Sequence, residues 1–159
     1  MKPFLTLIFA MIAFAVVTGC KKDSSKNNNN NSIVGTWENK QIDPNASAHS
    51  QNFTFKGDGT FETSSTVSDP VTNQLLGYYY KSTGKYVLND NELSFTNVVY
   101  YGLPNNGSGA VPENQLVVGS QTYNSPYSVG FNAKKDSLSM LIHCPPNANC
   151  IGLQWYKKK

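Results

Sequence analysis

Asn52-Phe53-Thr54-Phe55-Lys56-Gly57-Asp58-Gly59-Thr60-Phe61-Glu62-Thr63 alternates apolar and polar residues on both sides of a Gly-Asp-Gly turn. Alternation at a period of two places one set of side chains on each face of a strand, and a one-residue slip reverses every side chain. A two-residue Asp58-Gly59 turn would set Phe55 opposite Glu62, so the two faces would conflict. A three-residue loop, 57–59, pairs Phe55 with Phe61 and Thr54 with Glu62. It also puts Gly59 where a positive φ is wanted, in the type I turn plus bulge. The stretch is therefore read as an antiparallel hairpin with its phenylalanines on one face.

The same phase test extends outward along the chain. A two-residue turn at Asp90-Asn91 sets Leu88 opposite Leu93 and Tyr86 opposite Phe95. Asp and Asn tolerate left-handed backbone better than other non-glycine residues. A four-residue loop, 133–136, puts Phe131 opposite Leu138 and Val129 opposite Met140. Further strand candidates are Ile33 to Asn39, Leu76 to Lys81, Val98 to Tyr101, Gln115 to Tyr123 and Gly152 to Tyr156. Loops are expected at Ser64–Asn73 and Gly102–Asn114, both rich in Ser, Asn, Gly or Pro. Asn45–Ser50 is too short and polar to read as a helix. Consecutive hairpins point to an all-β fold, an up-and-down antiparallel barrel of about eight strands, which unlike a sandwich leaves no open edge.

Composition agrees. Aromatic residues are 12% and charged residues 14% of the 159, which suits a sheet rich in Tyr, Phe, Thr and Val. All thirteen basic residues are Lys and none is Arg. Residues 32–156 carry six Lys against nine acids, a net of −3, so the overall +3 comes from the two ends of the chain. A nucleic-acid partner needs a basic face and gains most from Arg, so nucleic acid is excluded as an expected partner.

The first twenty residues carry a different signal. Lys2 is followed by a run from Phe4 to Val17 that is apolar except for Thr6. At fourteen residues it is shorter than the roughly 20 a spanning helix needs, and it fits the core of a signal peptide. The run ends in Val17-Thr18-Gly19-Cys20, which resembles the lipobox of bacterial lipoproteins. The resemblance implies a signal peptide over 1–19, cleavage before Cys20 and lipidation of its thiol. At about 0.8 kcal/mol per buried methylene, two or three acyl chains make a stable anchor. Lys21 to Asn31 contains no apolar residue and reads as a flexible tether over 20–31, reaching on the order of 20 Å. Lys directly after Cys20 resembles lipoproteins sorted to the outer membrane, so a lipid-anchored outer-membrane location is expected, facing the periplasm or the surface. With Cys20 lipidated, Cys144 and Cys150 remain. A disulfide between them, closing about seven residues and worth roughly 2–2.5 kcal/mol, is preferred over two free thiols.

Gly35-Thr36-Trp37 near the first strand resembles the Gly-x-Trp signature of lipocalins. Phe55-Lys56-Gly57-Asp58-Gly59-Thr60-Phe61, Gly84-Lys85-Tyr86-Val87-Leu88, Leu93-Ser94-Phe95 and the closing Trp155-Tyr156-Lys157-Lys158 are similar in type and order to bacterial lipocalin-like lipoprotein domains. The resemblance implies one barrel domain over 32–159, with Trp37 closing its bottom and an interior space for a small apolar molecule. Lipocalins place an Arg over that Trp. With no Arg, the Trp37 lid is expected to lack its cation partner.

Residues expected to line the barrel are Trp37, Phe53, Phe55, Phe61, Tyr86, Leu88, Phe95, Phe131, Met140 and Trp155. They can surround a ligand or simply fill the interior, since eight strands leave room for little more than side chains. Tyr78-Tyr79-Tyr80 and Tyr100-Tyr101 must expose some rings, because neighbours on a strand face opposite ways. Tyr79 and Tyr101 are thus surface-binding candidates for a glycan or a protein. His49 and His143 are not grouped with other ligands in sequence, so no metal is expected, and no cofactor. No Ser lies in Gly-x-Ser-x-Gly, and Glu62 and Glu92 point away from the apolar face. The expectation is a monomeric, non-enzymatic, membrane-anchored protein that binds a small apolar ligand. The alternative is a tethered interaction module.

Overall fold

The computed structural model describes residues 33–43, 46–104, 107–120, 125–144 and 151–159. The signal segment, Cys20, the tether and Cys150 lie outside the described residues. The chain forms β1 (Gly35–Asp43), β2 (Ser47–Phe55), β3 (Thr60–Ser68), β4 (Leu75–Asn89), β5 (Glu92–Gly102), β6 (Val117–Gly119), β7 (Tyr127–Phe131), β8 (Ser137–Ile142) and β9 (Gln154–Lys158). Every pairing is antiparallel. Neighbours follow one another from β1 to β5, β7 to β8 and β8 to β9, and β9 returns to β1. β6 and β7 lie along the same edge of β5, β6 at Tyr100–Gly102 and β7 at Glu92–Leu93, and together occupy one position. The result is a closed, up-and-down, eight-position antiparallel barrel.

The three hairpin registers read from the sequence are present: Phe55 faces Phe61, Leu88 faces Leu93 and Phe131 faces Leu138. Gly59 has φ of 79° and Asp90 has φ of 52°, as their turns require. Asp58 holds the first turn by accepting from Thr60 N at 2.9 Å and Thr60 Oγ1 at 2.6 Å. Several expected boundaries move. Leu76–Lys81 and Lys85–Asn89 are parts of one long strand, β4, and Val98–Tyr101 continues β5. Of the expected loop Ser64–Asn73 only 69–73 is one: β3 runs to Ser68, where its Ser and Thr residues pair with β2. Ser47–Ser50 forms the first part of β2.

β4 stays continuous by bending. Its register with β5 shifts between Thr83 and Lys85. A Cβ on Gly84 would sit 2.9 Å from the Phe61 ring and 2.9 Å from Thr96 O. Gly84 therefore lets the strand turn the barrel corner against a packed aromatic ring.

The barrel has two unlike ends. The β2–β3, β4–β5 and β7–β8 turns lie at one pole, together with the start of β1 and the end of β9. This pole is sealed by Ile33, Trp37, Phe55, Phe61, Tyr86, Leu88, Leu93 and Leu138, all buried. Phe95 sits among these rings, 4.3 Å from Phe61 and 5.6 Å from Tyr127 between centroids. Trp37 closes the base, donating from Nε1 to Ile33 O at 2.7 Å, with the half-buried Phe131 ring 5.8 Å away. The expectation that Trp37 lacks a cation is corrected: Lys158 Nζ lies 5.3 Å from the ring centre. Lys158 can take the role without Arg because β9 pairs it directly opposite Trp37.

Candidate functional site

The opposite, open pole contains a cavity of about 280 Å³. Its existence follows from strand length. β2, β3 and β4 run for 9, 9 and 15 residues, whereas β7, β8 and β9 run for only 5, 6 and 5. The short strands end before the tall wall does, and space remains between them. The tall wall contributes Gln51, Phe53 and Tyr80. The short wall contributes Tyr127, Met140, Ile142, Gln154 and Tyr156, and Ile151 and Gly152 complete the lining. The volume lies at the lower edge of the range of small-molecule pockets, roughly 300–1,000 Å³.

Most of this surface is carbon, and its polar groups are organised into one chain. Tyr156 Oη donates to Gln51 Oε1 at 2.9 Å, and Gln51 Nε2 donates to Tyr80 Oη at 2.9 Å. The chain spans the interior from β9 through β2 to β4 and fixes the Gln51 side chain from both ends. Tyr156 is buried and its ring packs edge-on against Phe53 at 5.4 Å. Burial, aided by neighbouring Tyr80 and Tyr127, pushes the Tyr156 phenol well above the usual tyrosine range. It is therefore neutral at ordinary pH and acts as a hydrogen-bonding group. Gln154, two residues before Tyr156 on β9, is held by neighbouring β1, its Oε1 accepting from Asn39 Nδ2 at 3.3 Å.

The rim of the open pole carries exposed apolar residues: Ile42 ends β1, Val71 and Leu75 flank the β3–β4 turn, Val117 and Val118 form β6, and Ile151 precedes β9. Beside the mouth, Tyr79, Tyr100, Leu103 and Val117 border a second, more polar hollow of about 480 Å³. His49 stacks on Tyr79 at 5.8 Å and bonds Ser47 at 2.8 Å.

The structure sorts the sequence candidates into three groups. Phe53 and Met140 line the cavity. Trp37, Phe55, Phe61, Tyr86, Leu88 and Phe95 pack into the sealed core, with Phe131 against it. Trp155 is a correction: it faces outward and is 56% exposed, while Tyr156 takes the interior position opposite Leu138. Gln51, Tyr80, Tyr127, Ile142, Ile151, Gly152, Gln154 and Tyr156 were not among the sequence candidates for the lining. The alternation Gln51-Phe53-Phe55 carried a signal for Gln51.

The two tyrosine candidates do not share a surface. Tyr79 borders the mouth hollow, whereas Tyr101 lies on the outer wall in a recess with Lys81, Thr83 and Glu113. There Lys81 bonds Glu113 at 2.5 Å and Glu62 at 3.2 Å. Partial burial alone would lower the Lys81 pKa, but the bonds to Glu113 and Glu62 outweigh it and raise it. This triad ties the β5–β6 connection to the outside of β3 and β4. His143 is also on the outer wall, with Nε2 2.5 Å from Ser128 Oγ. Among the described residues, no three His, Cys, Asp or Glu side chains group to hold a metal. The Cys144–Cys150 pairing falls on Cys150, outside the described residues.

The barrel, with a Trp-sealed pole and an open one, is compatible with a lipocalin-like fold. No protein-family model, curated protein or solved structure matches the chain.

Proposed function

We propose that this protein is a membrane-anchored, lipocalin-like lipoprotein that holds a small apolar molecule in the open half of its barrel. The observation that carries the reading is the cavity of about 280 Å³, lined by aromatic and aliphatic side chains and entered through an apolar rim. The sealed half would serve as a rigid base and the Tyr156–Gln51–Tyr80 chain as a fixed polar mark on the cavity wall. Apolar contact over such a volume supplies affinity at about 25 cal/mol per Å² of surface removed from water. In this reading no bond is made or broken, and the protein acts as a carrier or store. Anchoring rests on Lys2, the apolar run to Val17 and Val17-Thr18-Gly19-Cys20, with the lipid on Cys20 placing the domain at the outer membrane. A Cys144–Cys150 disulfide would fasten the β8–β9 connection, which supplies Ile151 and Gly152 to the cavity.

Native mass spectrometry of detergent-free protein, joined to thermal unfolding with a panel of small apolar compounds, tests the binding. Added mass or a raised midpoint is expected, and it should vanish in Ile142→Trp, which fills the mouth. An unliganded mass with no compound raising the midpoint would remove the proposal. Radiolabelled palmitate incorporation, lost in Cys20→Ala, tests the anchor separately.

A further inference from the structure

The cavity lining has a charge character that narrows the ligand class, and this step rests on the binding function proposed above. Among the described residues its polar groups are two amides and three phenols, Gln51, Gln154, Tyr80, Tyr127 and Tyr156, with no charged side chain. Three lysines of the strands are engaged elsewhere. Lys158 lies over Trp37 at the sealed pole, and Lys81 bonds Glu62 and Glu113 on the outer wall. Lys40 bonds Asn73 at 2.7 Å beside the β3–β4 turn. A carboxylate drawn into this space would lose its water without meeting a cation, which is strongly unfavourable in a low-dielectric site.

A neutral polar end meets different conditions. An amide has two N–H donors and two carbonyl lone pairs. Gln51 gives one N–H to Tyr80 and accepts one proton from Tyr156. One N–H and one lone pair of the same amide are left by that count, on a side chain already held in place at both ends. A hydroxyl both donates and accepts and so matches this pair, whereas a carboxylate can use only the donor. We infer that the cavity selects an uncharged amphiphile, an apolar body ending in a hydroxyl, and rejects the corresponding acid.

Decan-1-ol and decanoate, matched in chain length, provide the test with the full mature chain at pH 7.5. Native mass spectrometry and thermal shift should give at least tenfold tighter binding of the alcohol. Ile142→Lys places a cation at the half-buried mouth and should raise decanoate affinity until the preference narrows or inverts. Gln51→Leu should erase the advantage of decan-1-ol over decane, read as the ratio of the two affinities in that variant. Decanoate binding as tightly as decan-1-ol to the unaltered protein would overturn this inference and leave the binding function standing. Failure of decane, decan-1-ol and decanoate alike would overturn both.

Discussion

The two poles of this barrel are built from the same strands yet obey different packing rules. At the sealed pole most inward positions are large and apolar, and ring meets ring: Phe55 with Tyr86 at 5.0 Å, Phe61 with Phe95 at 4.3 Å. At the open pole the inward positions of the same strands include Gln51 and Tyr80, joined by one hydrogen bond beside the cavity. Stability and space are thus separated along the barrel axis. A protein interior packed to ordinary density has no room for a guest. This one concentrates its cohesion at the base and leaves the mouth underfilled.

That contrast can be broken by unequal responses to the same kind of change. Phe95→Ala empties the centre of the sealed cluster and should cost about 3–5 kcal/mol. Ile142→Ala, beside space already open, should cost under about 1 kcal/mol, and urea midpoints would compare the two. Equal losses would mean that the poles do not differ.

Titration sharpens the contrast next. The folded-state pKa of Tyr156 is raised by burial. Above the unfolded value of about 10 the unfolded chain releases a proton that the folded chain retains. Stability is therefore complete below that pH and falls as pH rises toward the folded pKa, by up to about 1.4 kcal/mol per pH unit. Tyr156→Phe should flatten the alkaline limb of a stability–pH curve. An unchanged slope would show that burial does not hold the Tyr156 phenol neutral.

Gly59→Ala strains a turn at φ of 79° and should destabilise by about 1 kcal/mol, seen as a lowered thermal midpoint without loss of cavity binding. Smallest of all, Lys158→Ala removes the cation over Trp37 and should cost roughly 0.5–1 kcal/mol, with Lys158→Arg restoring it. A Lys158→Ala protein as stable as the parent would make the Trp37 seal purely apolar.

The sequence made some of this architecture legible and hid the rest for a physical reason. Hairpin registers at 55/61, 88/93 and 131/138 could be read because a short turn ties both partners and only one phase buries both sides. β9 has no such neighbour in sequence. A connection from His143 to Leu153 separates it from β8, so no turn-bound partner told Trp155 from Tyr156 as the interior ring. Lys158 over Trp37 was equally hidden, since the contact joins the two ends of the barrel. The aromatic candidates fell mostly in the packed half, while the cavity wall carries Gln51 and Gln154 among its tyrosines. Interior volume depends on how far each strand reaches before closure, and no window of sequence encodes that difference.

β1 leaves Ile33 and β9 delivers Lys158 at the sealed pole, so both approaches to the barrel arrive beneath its floor. A nine-residue strand rises about 3.3 Å per residue, and a tilt near 40° sets the floor-to-rim distance at about 20–25 Å. Any tie made through residues ahead of Ile33 would therefore join the molecule at its base, the pole opposite its opening.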